Sequence, residues 1–253
     1  MDKFNYIVEF NGVKFCYSKT ENILKSDIHE YHELLFYIDG EATLSTETFK
    51  QELTKNSLIF IPCGKYHSFN LKSSKEFERL KISFAKSEIS DMIPSKVLEK
   101  ISITTPSNVC LALLNKICNN IKNKNSNDMF LYGALLTVLS EISTNNQQPL
   151  SLDVSILVKK IVNYIESNIG SDLSMETISK TLNYSVSTIT HTFKKEMGIP
   201  LHKYIVQKRL YFAKTMLDKG YLPTNVYLSC GYTNYSSFYK AYIKMFSKTP
   251  KEI

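Results

Sequence analysis

Two segments near the end of the 253-residue chain carry polar side chains, at helical spacing, that are suited to contact nucleic acid. In the first segment Ile189 and Phe193 lie four residues apart, which predicts the buried side of a helix. The opposite side then presents hydroxyl, imidazole and ammonium groups, from Ser187, Thr190, His191 and Lys194. Hydroxyl groups can reach several base edges, and lysine is suited to contact phosphate.

The second segment repeats this pattern. Phe238 and Tyr242 predict its buried side, and the outward side would present Asn234, Tyr235, Ser236, Tyr239 and Lys240. Neither outward set contains arginine, the residue best suited to bind guanine through two hydrogen bonds. We therefore expect a preference for A·T-rich double-stranded DNA, read partly through its shape.

Both segments belong to a weak internal repeat, which predicts the elements that position them. The stretch that begins at Ser174 recurs 48 residues later, and the offset becomes 49 after the turn. Each copy is typical of a short helix, a tight turn and a second helix. Asn183 and Gly231 suit a turn with positive φ, and Ser185 and Thr233 could cap the second helices. Two helix-turn-helix motifs in tandem would contact two successive major grooves.

The net charge of +7 lies entirely on the part of the chain that contains the repeat. From Ser151 to Ile253 there are 14 Lys and Arg against 7 Asp and Glu, whereas residues 1–150 hold 17 of each. A basic module joined to a neutral one favours a polyanionic partner for the basic half. The hydrophobic content of 43% excludes a low-complexity or largely disordered chain.

Other features predict where the protein resides. The first ten residues are charged and lack the apolar region of a secretory signal. The longest strongly apolar stretch, 129–139, is about half as long as a membrane span requires. The five cysteines form an odd set without a C-x-x-C pair, which is typical of reduced thiols. We expect a soluble cytoplasmic protein with no membrane partner and no bound cofactor.

The N-terminal half predicts a different fold. Up to about residue 86, short runs of β-branched and aromatic residues between turns indicate a small sandwich or barrel. Residues 89–142 then predict two helices, of which the first has an apolar stripe of Val109, Leu113, Leu114, Ile117 and Ile121. Residues 143–149 are polar and end in proline, as a linker does. The expected architecture is a two-domain α+β protein with domains at 1–142 and 150–253.

The last hundred residues resemble the DNA-binding domain of the AraC/XylS transcription regulators. The residues that carry the resemblance are Ser185-x3-Ile189-x3-Phe193-Lys-Lys-Glu-Met-Gly198, Tyr204-x4-Arg209-Leu210-x2-Ala213, Gly231-Tyr232-Thr233-x4-Phe238 and Thr249-Pro250. The resemblance implies one helix over 203–217 that joins the two motifs. It also implies base contacts from Ser187, Thr190, His191, Tyr235, Ser236 and Lys240. The second motif departs from the family at Pro223, Tyr227 and Ser247, which stand where an aliphatic residue, alanine and glycine are usual.

The N-terminal half resembles the cupin-like sensor domain of the same family, so its expected form is a cupin-like β-barrel with a helical pair. The residues that carry the resemblance are His29-x2-His32-Glu33-x6-Gly40 and Pro62-x-Gly64-x2-His67. The resemblance implies His29, His32, Glu33 and His67 as the ligand set of a metal-dependent cupin. The two histidines of the first motif are three residues apart, however, and a regular strand would direct them to opposite faces. We therefore predict no metal and no enzymatic activity.

We expect instead an effector pocket in the mouth of the barrel. Its candidate lining is aromatic and imidazole side chains, those of Tyr17, His29, His32, Tyr37 and His67. The apolar stripe of the first helix either packs on the barrel or, as the resemblance implies, forms a two-fold dimer interface. The resulting hypothesis is a homodimeric, effector-gated activator that binds DNA and RNA polymerase. The alternatives are a constitutive regulator without an effector and a metal-dependent cupin enzyme with an added DNA-binding module.

Overall fold

The computed structural model describes residues 4–20, 27–71, 77–85, 100–124, 127–144 and 152–251. The chain forms two compact units, and the main division between them falls after Leu152. The first unit combines strands with two helices, and the second is helical. The expectation of a mixed α/β N-terminal domain followed by a helical domain is therefore confirmed.

Antiparallel strands make up most of the first unit. They are β1 (Phe4–Phe10), β2 (Val13–Thr20), β3 (His32–Asp39), β4 (Ala42–Thr46), β5 (Phe49–Glu52), β6 (Leu58–Ile61), β7 (His67–Leu71), β8 (Phe77–Phe84) and β9 (Ser102–Thr104). One sheet has the order β1-β2-β8-β3-β6-β9, and a second sheet contains β5, β4 and β7 as neighbours. The described strands form two sheets without a closed barrel, so the cupin-like detail stays a prediction.

The six-stranded sheet is buried on both faces over much of its area. Val13, Phe15 and Tyr17 alternate along β2 and point into a core shared with two helices, α1 (Asn108–Lys122) and α2 (Asp128–Thr144). On the other face, Leu35 of β3 and Ile59 of β6 belong to a second core that includes residues of the second sheet. The sheet is therefore the middle layer of the unit.

The predicted helical stripe serves this first core. Leu114, Ile117 and Ile121 are almost completely buried, and Leu113 packs against the same core, whereas Val109 is exposed. The sequence left open whether this stripe packs within the chain or forms a dimer interface. Four of its five residues pack within the chain, and Val109 alone among the five is exposed to a partner. Of the predicted linker, residues 143 and 144 end α2, and residues 145–149 lie outside the described residues.

The second unit consists of helices after the two-residue strand β10 (Leu152–Asp153), which straddles the division between the units. The helices are α3 (Ile156–Ser167), α4 (Met175–Leu182), α5 (Val186–Met197), α6 (Leu201–Asp218), α7 (Pro223–Ser229) and α8 (Tyr235–Phe246). Helix α6 corresponds to the single connecting helix expected over 203–217. No helix in the described residues is long and apolar enough to cross a membrane.

Candidate nucleic-acid interface and N-terminal pocket

Helices α4 and α5 form the first helix-turn-helix motif. Asn183 ends α4 with φ of 58° and ψ of 45°, the left-handed conformation that the sequence predicted for this turn. Ser185 begins α5, and its hydroxyl accepts a hydrogen bond from the Thr188 amide at 3.1 Å. Ile189 and Phe193 are completely buried, so they hold α5 in a fixed rotation about its axis.

This rotation directs the predicted contact residues of α5 outward. Ser187, His191 and Lys194 are exposed, and Thr190 is partly buried. The Thr190 hydroxyl donates to the Val186 carbonyl at 2.8 Å, so its lone pairs and its methyl group remain for contacts with a ligand. The surface carries one imidazole, two hydroxyls and one ammonium along a single helix face, a set that can contact base edges and phosphates.

The second motif, α7 and α8, differs from the first in its turn. Gly231 has φ of 75°, as expected, but the cap of α8 is Asn234, and the prediction of Thr233 was wrong. The Asn234 Oδ1 accepts from the Ser237 amide at 2.8 Å. The reason is the change of offset from 48 to 49, because the additional residue lies between Gly231 and the cap. Asn234 thereby serves as a cap as well as lying at the outward edge.

The second recognition helix is more aromatic than the first. Phe238 and Tyr242 are buried, and Ser236 and Lys240 are exposed. Tyr235 and Tyr239 are partly buried, with ring centroids 5.9 Å apart. All four predicted contact residues of α8 therefore share one side of the helix, although the two tyrosine rings also pack against each other.

The three departures from the family pattern are accommodated locally. Pro223 occupies the first turn of α7, where its missing amide hydrogen costs no intrahelical bond. The Tyr227 ring lies 5.7 Å from the Tyr235 ring, centroid to centroid, so it fills space at the junction of the two helices. Ser247 adopts φ of 56°, the left-handed conformation that Gly198 adopts after α5. The chain therefore turns in the same way at both places, with a serine under backbone strain at the second.

Arg209 of α6 links the segment between α3 and α4 to the turn of the second motif. Its Nε donates to the Ile169 carbonyl at 3.1 Å, and its Nη2 donates to the Ser171 carbonyl at 2.7 Å. Burial lowers the pKa of this guanidinium. A Cβ atom at Gly231 would lie 2.6 Å from Arg209 Nη2, so the second turn packs directly on this side chain. A second close approach occurs at Gly170, where a Cβ would lie 2.4 Å from the Ser229 carbonyl oxygen.

The positive charge of the second unit is available at its recognition helices. Lys194 and Lys195 are exposed near the end of α5, and Lys240 and Lys244 are exposed on α8. Ammonium groups on both helices, next to outward hydroxyl groups, produce a surface that attracts a polyanion before specific contacts form.

In the N-terminal unit, three of the four residues of the implied metal ligand set come together. The ligand atoms of His29, Glu33 and His67 lie within 4.8 Å of one another, and all three residues are buried. Burial would raise the pKa of Glu33, but its polar contact with His29 and the charge of Lys81 more than offset this effect, and the pKa lies well below its usual range. These three side chains could hold a divalent ion. The Lys81 ammonium, however, already lies 3.7 Å from the same carboxylate and supplies positive charge there.

His32 lies apart from this cluster, although His29 precedes β3 and the two histidines therefore do not share a regular strand. Its ring stacks on Phe60 at a centroid distance of 5.7 Å, and its Nδ1 accepts a hydrogen bond from the Cys63 amide at 3.2 Å. His32 therefore supports packing and the position of the Pro62–Gly64 turn.

The other predicted pocket residues are also separated. Tyr17 belongs to the core shared with α1 and α2, where its hydroxyl donates to Glu78. Tyr37 belongs to the core of the second sheet. Of the five predicted lining residues, only His29 and His67 are adjacent, with ring centroids 4.9 Å apart.

The structure instead contains an open groove of about 480 Å³ on the six-stranded sheet. Its lining comes mainly from β1, β2 and β8, and includes Ile7, Lys14, Arg79 and Lys81. The sequence feature that could have indicated this groove is the alternation of groove-lining and buried residues along each strand, as in β2. It did not identify the groove, because β2 and β8 are neighbours only in the folded sheet.

Comparison with known proteins agrees with the geometry of the second unit. Residues 178–253 match the family model of a helix-turn-helix domain. The probable transcriptional regulator LumQ of Photobacterium leiognathi is 22% identical over 242 residues, which cover 88% of this chain and 88% of that protein. The HTH-type transcriptional activator RhaR of Mannheimia succiniciproducens is 23% identical over 239 residues, with coverage of 88% and 84%. ToxT from Vibrio cholerae O395 aligns with 14% identity and a TM-score of 0.44 over 96% of this chain and 97% of that chain.

The tandem motifs, their outward polar faces and the family match together define a helix-turn-helix DNA-binding protein. Through this domain, the chain is similar to transcriptional regulators of the AraC type.

Proposed function

We propose that this protein activates transcription from A·T-rich promoter sites, and that a small effector bound to the N-terminal unit controls its binding to DNA. The observation that carries the proposal is the pair of outward polar faces on α5 and α8, within the part of the chain that holds the whole net charge of +7. Activation is supported by the relative from Mannheimia succiniciproducens, which is named a transcriptional activator.

In this proposal the contacts to bases come from Ser187, Thr190 and His191 of α5, and from Tyr235 and Ser236 of α8. Lys194 and Lys240 would contact phosphates, since phosphate receives most protein–DNA contacts. The hydroxyl-rich surface favours A·T-rich sites, because serine and threonine contact base edges without requiring guanine and the threonine methyl can touch a thymine methyl.

The N-terminal unit would act as a sensor. A ligand that binds one conformation of the chain better than another shifts the population toward that conformation. As a homodimer, the protein would place its DNA-binding units on repeated half-sites. As an activator bound beside a promoter, it would contact RNA polymerase.

Selection of DNA sequences by the full-length chain, followed by affinity measurements at several salt concentrations, tests the DNA-binding part. If about six phosphates are contacted, the logarithm of affinity should fall with the logarithm of salt concentration at a slope of about −5. An affinity that does not change with salt concentration would contradict the proposal. Enrichment of G·C-rich sites would also contradict it, because the predicted contact surface has no arginine to bind guanine. Reporter transcription from a selected site then separates activation from repression.

The proposal treats the His29, Glu33 and His67 cluster as a structural group without a metal. Metal analysis of the purified full-length chain should find much less than one transition-metal ion per chain. One tightly held ion per chain that is lost in a His67→Ala variant would instead favour the metal-dependent cupin enzyme. That measurement is independent of DNA binding, so each alternative has its own readout.

A further inference from the structure

Three cationic side chains lie in three adjacent cross-strand rows on one face of β1, β2 and β8. In the ladder between β2 and β8, Lys81 is opposite Cys16, Arg79 is opposite Ser18, and Lys14 is opposite Ser83. All six residues line the groove. Directly opposite and diagonal positions of an antiparallel sheet are only about 5–8 Å apart, so Lys81, in the middle row, can share a ligand with the cation of either neighbouring row.

On the same face of the sheet, the neighbouring strand β3 is covered by the core that includes the second sheet. The groove lies where this cover ends. The next residues in two of these rows, Leu35 and Tyr37 of β3, are completely buried in the core of the second sheet. Among the described residues, none from β1 or β2 belongs to this core. At that end Ile7 is 50% exposed, and Tyr31 lies beside the groove. The cavity of about 480 Å³ is within the range of small-molecule sites.

Two acidic residues in the described part of the chain lie at the groove. Glu9 is opposite Lys14 in the ladder between β1 and β2, and the buried Glu33 lies 3.7 Å from the Lys81 ammonium. Glu33 also contacts His29, at 3.4 Å between Oε2 and Nε2, so its charge is shared. Arg79 donates from Nε to the Ser18 hydroxyl at 3.3 Å, which holds the guanidinium along the sheet. Among the described residues, the groove therefore has three cations against two acidic groups, next to apolar surface.

We propose that this groove binds a small organic anion, with its anionic group near Lys14, Lys81 and Arg79 and its apolar body on Ile7 and Tyr31. An anion would relieve the mutual repulsion of the three cations, and its apolar part would cover the exposed Ile7 side chain. The assignment of this ligand as the effector rests on the proposed function, whereas its binding to the groove does not.

A matched pair of ligands tests the requirement for charge. 1-Naphthoate and 1-naphthamide have almost the same shape, and only the first is an anion. Isothermal titration calorimetry with the full-length chain should show binding of 1-naphthoate, and binding of 1-naphthamide that is at least about tenfold weaker, since hydrogen bonds to charged groups exceed neutral ones by this much. Inorganic phosphate, which lacks an apolar body, should bind more weakly than 1-naphthoate.

Three variants locate the site. Lys14→Gln and Lys81→Gln should each weaken 1-naphthoate by about tenfold and leave 1-naphthamide unchanged. Lys14 is exposed, so its replacement tests the groove even if loss of the Lys81 contact with Glu33 impairs folding. Lys55→Gln, an exposed lysine of the same unit outside the groove lining, is the control and should bind as the wild type does.

Equal affinities for the two naphthalene ligands, no binding of 1-naphthoate, or unchanged binding by Lys14→Gln would overturn the assignment. The proposed function is tested separately by DNA affinity. If 1-naphthoate binds the groove and DNA affinity does not change, the anion site stands and control by this ligand fails. If DNA binds and 1-naphthoate does not, the regulator stands and the anion site fails.

Discussion

Arg209 and Gly231 are in direct contact across the DNA-binding unit, and the contact depends on the absence of a side chain at Gly231. The guanidinium of Arg209 is held by the backbone carbonyls of Ile169 and Ser171, ahead of the first motif. The turn of the second motif then packs on the same guanidinium. One side chain therefore connects the segment that precedes the first motif to the turn of the second motif.

We expect Gly231→Ala to destabilise the DNA-binding unit by about 2–4 kcal/mol, through the cost of positive φ and a contact with Arg209 that is too short for a real Cβ. Gly220→Ala is the matched control. Gly220 has φ of 87° but nothing within 4 Å of an added Cβ, so it should lose only about 1–2 kcal/mol. Urea unfolding of the three full-length proteins measures both changes.

A double variant separates the contact from the backbone strain. Arg209→Ala removes the group that a methyl introduced at position 231 would meet, so combining it with Gly231→Ala should cost less than the sum of the two single changes. Strictly additive free energies would show that the Arg209 contact contributes nothing. DNA affinity should fall with Gly231→Ala more than with Gly220→Ala, because only the former displaces the second recognition helix.

The recognition residues can be tested by comparing specific with non-specific DNA. His191→Ala and Thr190→Ala should weaken binding to a selected site by about 1–3 kcal/mol and leave binding to random DNA almost unchanged. Lys240→Ala should weaken both, as loss of a phosphate contact does. His202→Ala, an exposed histidine on α6, is the control. If His191→Ala weakened all sequences equally, a different face of α5 would lie in the groove.

Ser247 offers a test of backbone strain at the second motif. Its φ of 56° is a conformation that glycine adopts with little cost, and glycine is the residue present at the corresponding position, 198, in the first motif. Ser247→Gly should therefore stabilise the protein by about 0.5–1 kcal/mol, measured as a shift in urea midpoint. Ser247→Ala keeps the strain and should give no such gain. An equal effect of both substitutions would exclude backbone strain as the cause.

The helical half could be predicted closely from the sequence because its contacts are local. The i, i+4 pair Ile189 and Phe193 fixes the outward face of α5, and positive φ at Asn183 and Gly231 follows from the turn they must form. The error at Thr233 arose because the change of offset could be placed only to within a few residues. The match of residues 178–253 to a helix-turn-helix family agrees with this result.

The N-terminal half was predicted less well because its contacts are between distant strands. Strands could be recognised by the alternation of apolar and polar residues, but this alternation does not determine which strands are neighbours in the sheet. The pairing of β2 with β8 brings Lys14, Arg79 and Lys81 together over more than 60 residues of chain. The same pairing places Tyr17 in the helical core, far from the pocket in which the sequence placed it.

The His67 imidazole predicts how stability depends on pH. Burial lowers its pKa from an ordinary value of 6.5 to about 4, although the charge of Glu33 opposes this effect. Between these two values the unfolded chain binds a proton that the folded chain does not, so stability is present above pH 6.5 and is lost as the pH falls toward 4. At pH 5 the loss attributable to His67 is about 2 kcal/mol. The lowered pKa of Glu33 acts at lower pH and adds little in this range.

Urea unfolding of the full-length protein at pH 7.5, 6.5, 5.5 and 5.0, followed by circular dichroism, measures this dependence. His67→Gln has no imidazole at this position, so the difference in stability between wild type and variant should shift in favour of the variant by about 2 kcal/mol between pH 7.5 and 5.0. His202→Gln removes an exposed histidine and should follow the wild type throughout. A constant difference between wild type and His67→Gln at all four pH values would show that His67 takes up a proton as easily in the folded chain as in the unfolded one.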